Sequence, residues 1–221
     1  MPLDPESHRL NSLQLYGILD TAAERAFDDL TKLAAAICGT PIGLVSLVDD
    51  KRQWFKSRQG LDVDETPREN AFCSFAIAQS EVMIVKDAQD DARFQGNPLV
   101  TGDPNIRFYA GAPLTVANGE SLGTLCVIDR VPRTLTNTQI EALSVLRDAV
   151  VTLLEYRRAA NELAALQNIV PMCAWCRNIK VENAAGDLLE WQKLHEYVAS
   201  IVPVSHGICP DCKANIGQLP G

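Results

Sequence analysis

No run of about 18 apolar residues, the length a membrane-spanning helix needs, occurs anywhere in the sequence. The opening residues, MPLDPESHRL, have none of the apolar core of a secretion signal. A cytoplasmic protein without membrane contact is therefore expected. Basic charge is scarce: 20 Lys and Arg stand against 28 Asp and Glu, a net charge of −8. A nucleic-acid or anionic-membrane binder needs a basic face, so neither partner is expected. The seven cysteines are odd in number and follow no signal, which argues against a disulfide framework. Internal repeats and low-complexity segments are absent.

The 221 residues suit one domain of about 150 residues plus an appendage. Residues 107–130, RFYAGAPLTVANGESLGTLCVIDR, read as two strands around Asn118-Gly119. That dipeptide predicts a two-residue turn with positive φ at both positions. Residues 4–17 read as an amphipathic helix. Thr21-Ala-Ala-Glu24 has the form of a capping box and predicts a second helix through Phe27, Leu30, Ala34 and Ile37, closed by Gly39. Strands are predicted at 42–48, 53–57 and 82–85, with a short helix at 71–79 and turn-rich sequence from 87 to 103. Thr136-Asn-Thr-Gln139 is a further capping box. It opens a helix of roughly 30 residues, about 45 Å long. Residues 143, 146, 150, 153, 160 and 164 fit a heptad seam, which predicts a homodimer through residues 140–166. Packing of that helix on its own domain is the alternative.

These words, in this order, resemble the GAF domains found at the front of bacterial sensor kinases and diguanylate cyclases. The matching stretches are Leu19-Asp20-Thr21, Val45-Ser46-Leu47-Val48-Asp49, Gln53-Trp54-Phe55-Lys56-Ser57 and Ala71-Phe72-Cys73. Asp90-Asp91-Ala92-Arg93-Phe94, Arg107 through Leu114 and Gly123 through Asp129 continue the match. The resemblance implies an α+β fold: a six-stranded antiparallel sheet, helices packed behind it, a long C-terminal signalling helix and a ligand pocket in front. Residues 1–166 would form this domain and residues 167–221 a separate cysteine-rich module. No ligand follows from the fold, because one fold hosts many functions.

By this topology Trp54, Phe55, Phe72, Cys73, Phe75, Phe108 and Tyr109 would wall the pocket, with Arg107 as a nearby cation for a carboxylate or phosphate. For the aromatics the alternative is core packing. For Arg107 it is a salt bridge to Asp90 or Asp129. Some GAF relatives reduce free methionine sulfoxide with cysteines near the pocket, and Cys73 falls close to one such position. No cysteine occurs between Asp87 and Pro104, where those enzymes carry another thiol. Cys73 and Cys126 are expected to be small buried residues, with Cys126 in the strand behind. Covalent bilin attachment has no Cys-His pair to support it, and the Asn-Lys-Phe-Asp-Glu signature of cyclic-nucleotide-binding GAF domains is missing.

Residues 171–213 hold two Cys-x-x-Cys knuckles, Cys173/Cys176 and Cys209/Cys212, with 32 residues between them. Each knuckle supplies two thiolates, and two knuckles make the tetrahedral four-sulfur set that suits structural Zn²⁺. A redox dithiol, an iron–sulfur site and free thiols are the alternatives, and His206 is a possible substitute ligand. Leu188, Leu189, Trp191, Leu194, Tyr197, Val198 and Ile201 have helical spacing, which predicts one helix between the knuckles. The segment resembles a cysteine-rich tail that follows GAF, PAS or receiver domains in some bacterial signalling proteins.

No phosphoacceptor helix, Gly-rich nucleotide box or GGDEF-like run is visible, and the residues after 167 leave no room for an output enzyme. The leading expectation is a non-enzymatic signal-transduction sensor. It would bind a small molecule of unknown identity and relay to a signalling partner supplied in trans, a kinase, cyclase or regulator. A thiol redox sensor or methionine-sulfoxide-reductase-like enzyme using Cys73 and Cys126 is the second reading. A dimeric scaffold without a ligand is the third.

Overall fold

The Asp4 carboxylate accepts the backbone N–H groups of Glu6 and Ser7, and Pro5 occupies the first helical position. Helix α1 (Pro5–Leu15) starts there. The computed structural model describes residues 4–167, 178–182 and 188–193. They fall into two units, residues 1–162 and 163–221.

Helix α2 (Arg25–Cys38) does not open on the expected capping box. Thr21 donates instead to the Ile18 carbonyl, at 2.7 Å. The cause is Lys56, whose buried ammonium donates to Thr21 Oγ1, to the Ala22 carbonyl and to Glu24 Oε1 at 2.6–2.9 Å. A buried charge needs such partners, so the turn before α2 folds around it.

Strands β1 (Ile42–Val48), β2 (Arg52–Gln59), β3 (Glu65–Pro67), β4 (Met83–Val85), β5 (Phe108–Thr115) and β6 (Ser121–Asp129) form one sheet in the order β3-β2-β1-β6-β5-β4. Every neighbouring pair is antiparallel. Short helices α3 (Cys73–Ala76) and α4 (Pro98–Thr101) lie in the connections. The short helix expected over 71–79 thus shrinks to four residues.

Between β5 and β6 only Gly119 has a positive φ, at 88°. Its N–H reaches the Val116 carbonyl at 2.8 Å, and the Val116 N–H reaches the Glu120 carbonyl at 2.9 Å. The loop is one turn followed by a left-handed glycine, longer than the expected two-residue turn. Asn118 is spent elsewhere: its amide donates to Ser12 Oγ, at 2.7 Å.

Alternation along the strands splits the core into two layers. Behind the sheet, Val45, Leu47, Trp54, Phe108, Leu125 and Val127 pack with Leu13, Phe27 and Ala34 of the first two helices. In front, Ile42, Leu44, Phe55, Tyr109, Cys126 and Ile128 pack with Phe72, Cys73 and Phe94.

Helix α5 (Asn137–Gln167) begins on the expected capping box, with the Thr136 and Gln139 side chains each accepting the other's backbone N–H. Leu143, Leu146, Val150 and Leu154 bury against the sheet's rear layer. The first half of the expected dimer seam is therefore committed to this domain's own core. No helix among the described residues is long and apolar enough to cross a membrane.

In the second unit β7 (Ile179–Glu182) pairs antiparallel with β8 (Leu188–Gln192). Residues 188–192 are thus a strand rather than the start of the expected helix. Short apolar runs fit either period, and a pairing partner decides. Residues 194–201 lie outside the described residues.

Candidate functional site

A cavity of about 160 Å³ lies on the sheet's front face. Its floor comes from Ile42 and Leu44 of β1, Gln53 and Phe55 of β2, Tyr109 of β5 and Ile128 of β6. Leu61, Val63 and Thr66 close one side, Phe72 and Cys73 another, and Leu99, Pro104 and Ile106 the third. The lining is mainly apolar. A cavity of about 150 Å³ is enough to hold a benzene-sized molecule. Drug-sized ligands and cofactors occupy roughly 300–1,000 Å³. The space suits a single small ring or short chain.

Two hydrogen-bond acceptors in this wall have no partner among the described residues. They are Gln53 Oε1 and Thr66 Oγ1, both buried. Gln53 is only 6% exposed, and it faces Thr66 directly across the β2–β3 pair. Buried polar atoms are nearly always paired, with protein or with ordered water, so these two are the polar atoms of the wall free to bond water or a bound molecule. Glu65 beside them is engaged by Arg52 at 2.7 Å.

Deeper in the same wall sits Cys73. Ser46 Oγ donates to its sulfur at 3.1 Å, Thr124 Oγ1 at 3.0 Å and the Tyr109 hydroxyl at 3.3 Å. Cys126 Sγ lies 4.0 Å away. Burial pushes the Cys73 thiol up, but the hydrogen bonds from Cys126, Ser46, Thr124 and Tyr109 outweigh it and hold the thiol below its ordinary value. Cys126 moves the other way: its hydrogen bond to Cys73 and its burial push it well up. The Tyr109 hydroxyl fits here because residue 111, next on that face, is glycine. A Cβ at Gly111 would stand 2.1 Å from the Tyr109 oxygen.

Of the eight residues expected at the pocket, Phe55, Phe72, Cys73 and Tyr109 line the cavity. Trp54 and Phe108 do not: both lie in the layer behind the sheet. Adjacent strand residues point to opposite faces, so Trp54 and Phe55 cannot both face forward, nor can Phe108 and Tyr109. Phe75 is 43% exposed and lines a separate surface depression with Lys51 and Arg68. Arg107 is outside the cavity wall. It grips Asp87 with two hydrogen bonds, Nε to Oδ1 at 2.7 Å and Nη2 to Oδ2 at 2.5 Å, rather than Asp90 or Asp129. Cys126 is on the front face, not behind. Gln53 and Thr66 escaped the sequence reading because polar strand residues suggest solvent. Period-two alternation from Phe55 is the signal that places Gln53 forward.

The four knuckle cysteines, Cys173, Cys176, Cys209 and Cys212, lie outside the described residues, as does His206. Among the described residues no group of three or more His, Cys, Asp or Glu is placed to hold a metal ion.

One curated relative, a cyclic di-GMP phosphodiesterase of Pseudomonas aeruginosa, is 48% identical over 132 residues, 60% of this chain and 22% of that protein. The chain thus spans about a fifth of the length of the relative it matches. Among solved structures, the fold is similar to the GAF domain of an Acinetobacter phosphoenolpyruvate-protein phosphotransferase. The TM-score is 0.52 at 15% identity, over 72% of this chain and 97% of that one. It is equally similar to the blue-light absorbing form of the PixJ GAF domain of Thermosynechococcus elongatus. There the TM-score is 0.52 at 16% identity, over 72% and 95% of the two chains. These two likenesses concern the fold. The GAF domain family matches residues 22–154, well over half of the sequence, and the chain belongs to that family.

Proposed function

We propose that this protein is a non-catalytic sensor whose front cavity binds one small, largely apolar molecule carrying a hydrogen-bond donor. The observation that carries this reading is the pair of unpartnered buried acceptors, Gln53 Oε1 and Thr66 Oγ1, in the wall of an apolar cavity of about 160 Å³. Apolar lining supplies affinity and a few placed polar atoms supply orientation. A ring-sized amide, indole or phenol satisfies both requirements. Methionine sulfoxide reduction has less support: the sequence lacks the further thiol expected between Asp87 and Pro104.

Output passes through α5 to a signalling enzyme or regulator supplied separately. Support comes from Glu24, which accepts hydrogen bonds from both Lys56 in β2 and Arg157 in α5 and so ties that helix to the sheet. The 48% identical relative is a cyclic di-GMP phosphodiesterase, and the match covers 22% of its length. Dimerisation through residues 140–166 remains part of the proposal, with a changed seam. Val145, Thr152, Tyr156 and Leu163 are exposed at near-heptad spacing, on the side away from the core residues. The cysteine-rich module holds Zn²⁺ through Cys173, Cys176, Cys209 and Cys212 in this reading, stapling a segment too small for much core.

Thermal unfolding of the full chain with indole, phenol and benzamide is the test. A ligand at 100 times its Kd stabilises by about 2.7 kcal/mol. A rise with at least one probe, lost in Gln53→Leu, supports the site. No rise with any of them sinks the proposed ligand class. Native mass spectrometry of the same preparation reads zinc stoichiometry and dimer mass together.

A further inference from the structure

The sensor reading makes no use of Cys73, the thiol in the cavity wall, or of Cys126, the thiol beside it. Ser46 and Thr124 are polar side chains with no exposure, on the two central strands β1 and β6. Both donate to Cys73, their hydroxyls lie within hydrogen-bond distance of each other, and Thr124 Oγ1 accepts from Tyr109. A cysteine kept only for packing needs no such ring. Three hydroxyl donors converging on one sulfur are what a thiolate requires when water is excluded, because hydrogen bonds to an ionised acceptor are the strong ones. The second thiol, Cys126, stands 4.0 Å from the first. A disulfide needs about 2.05 Å, so the sulfurs must close by roughly 2 Å. Cys73 also faces the cavity, which has room for a hydrogen peroxide molecule or a small organic hydroperoxide. Cys38 is the internal contrast. It is buried behind the sheet among apolar side chains, and burial pushes its thiol up.

We propose that Cys73 and Cys126 form a hydroperoxide-reactive dithiol centre, with Cys73 the nucleophile, Cys126 the resolving thiol, and Ser46, Thr124 and Tyr109 positioning the reacting sulfur. The Cys73 thiolate attacks the terminal oxygen of a hydroperoxide, ROOH. An S–O bond forms as the O–O bond breaks, and the departing alkoxide takes up the proton the thiol released, leaving as ROH. Cys73 is now a sulfenic acid, oxidised by two electrons, while the peroxide has been reduced by two. The Cys126 sulfur then attacks the Cys73 sulfur. The sulfenic oxygen leaves with its own hydrogen and the Cys126 proton as water, and a Cys73–Cys126 disulfide remains. An external dithiol returns both residues to thiols. Because the disulfide would form in the cavity wall, the same chemistry changes the shape of the proposed ligand site.

The test uses the full reduced chain with one equivalent of hydrogen peroxide, a rapid alkylating quench, and peptide mapping by mass spectrometry. A Cys73–Cys126 linkage that forms before Cys38 is modified, and that dithiothreitol reverses, is the expected result. In Cys126→Ser, Cys73 should instead be captured as a sulfenic acid by dimedone. Thr124→Val should slow Cys73 oxidation roughly tenfold or more, because it removes one donor to the thiolate. The wild-type map needs no folded variant. A Cys73 that stays a free thiol while knuckle cysteines oxidise overturns the proposal, as does over-oxidation of Cys73 without linkage to Cys126.

Discussion

Replacing Gln53 by leucine should stabilise the empty protein. Gln53 is 6% exposed, and its carboxamide oxygen has no partner among the described residues. An unsatisfied buried acceptor carries a desolvation penalty of about 1–3 kcal/mol. Leucine has similar volume and no such penalty, and the neighbouring wall, Ile42, Leu44 and Phe55, is apolar. The ordinary outcome of changing a buried residue is a loss of about 1 kcal/mol. Here the sign reverses, to a gain of about 1–2 kcal/mol. For a chain of this size that raises Tm by roughly 2–8 °C. Thr66→Val should act in the same direction by less, because Thr66 is only half-buried. Calorimetry of wild type and variant without ligand gives the difference directly. The same variant should lose the thermal shift given by a donor-bearing probe, the trade expected of a residue kept for binding. A Gln53→Leu protein less stable than wild type would show that the oxygen is already satisfied. The argument for a donor-bearing ligand would then collapse.

Glu24→Ala should lower stability by about 2 kcal/mol, below the 3–5 kcal/mol typical of a fully buried pair, because Glu24 is part exposed and Lys56 keeps two other acceptors. Lys56→Met leaves Glu24 paired with Arg157 and should stay within about 1 kcal/mol of wild type, as urea unfolding of the pair would show. Gly111→Ala should cost about 1–3 kcal/mol and drive the Tyr109 hydroxyl off Cys73, seen as slower Cys73 alkylation. Hydrogen bonds from Arg9 lead in holding the Glu6 carboxyl down at about 2, against burial and with help from Arg68. A depressed folded-state value stabilises above the unfolded value of 4.5 and is lost as pH falls from there through about 2. Glu6→Gln should therefore be less stable than wild type at neutral pH by under about 1 kcal/mol, and the gap should close over that acid window. Chelation of the full chain should release one Zn²⁺ and expose four thiols to a thiol reagent; release of no metal would remove the zinc proposal.

Strands β1 and β5 were legible because they carry largely apolar runs bounded by turn residues, at Ile42–Val48 and Phe108–Thr115. Helix α5 was legible for a related reason: a strict apolar period and a capping box at Thr136. The pocket was half legible. Phe55, Phe72, Cys73 and Tyr109 were found because the family words surround them. Trp54 and Phe108 lie behind the sheet because alternation along a strand sends neighbours to opposite faces, a property that apolar composition alone does not carry. Asn118-Gly119 misled in a different way. Its side chain has a better use at Ser12, 106 residues away in sequence, and no local rule can contain that contact.

By itself the sequence determined the longer elements of the GAF domain, their order and the family, since period, caps and turn chemistry are local properties carried by each segment; the three-residue strand β3 and the strand at 188–192 took a pairing partner to appear. Tertiary structure alone decided which side chains meet. Lys56 lies 32 residues from Glu24, Cys73 lies 53 from Cys126, and Gln53 opposes Thr66 only because β2 and β3 pair in that register. The unpartnered acceptors and the ringed thiol exist only as such meetings. Whether a buried polar atom is satisfied depends on what the fold brings within 3.5 Å of it.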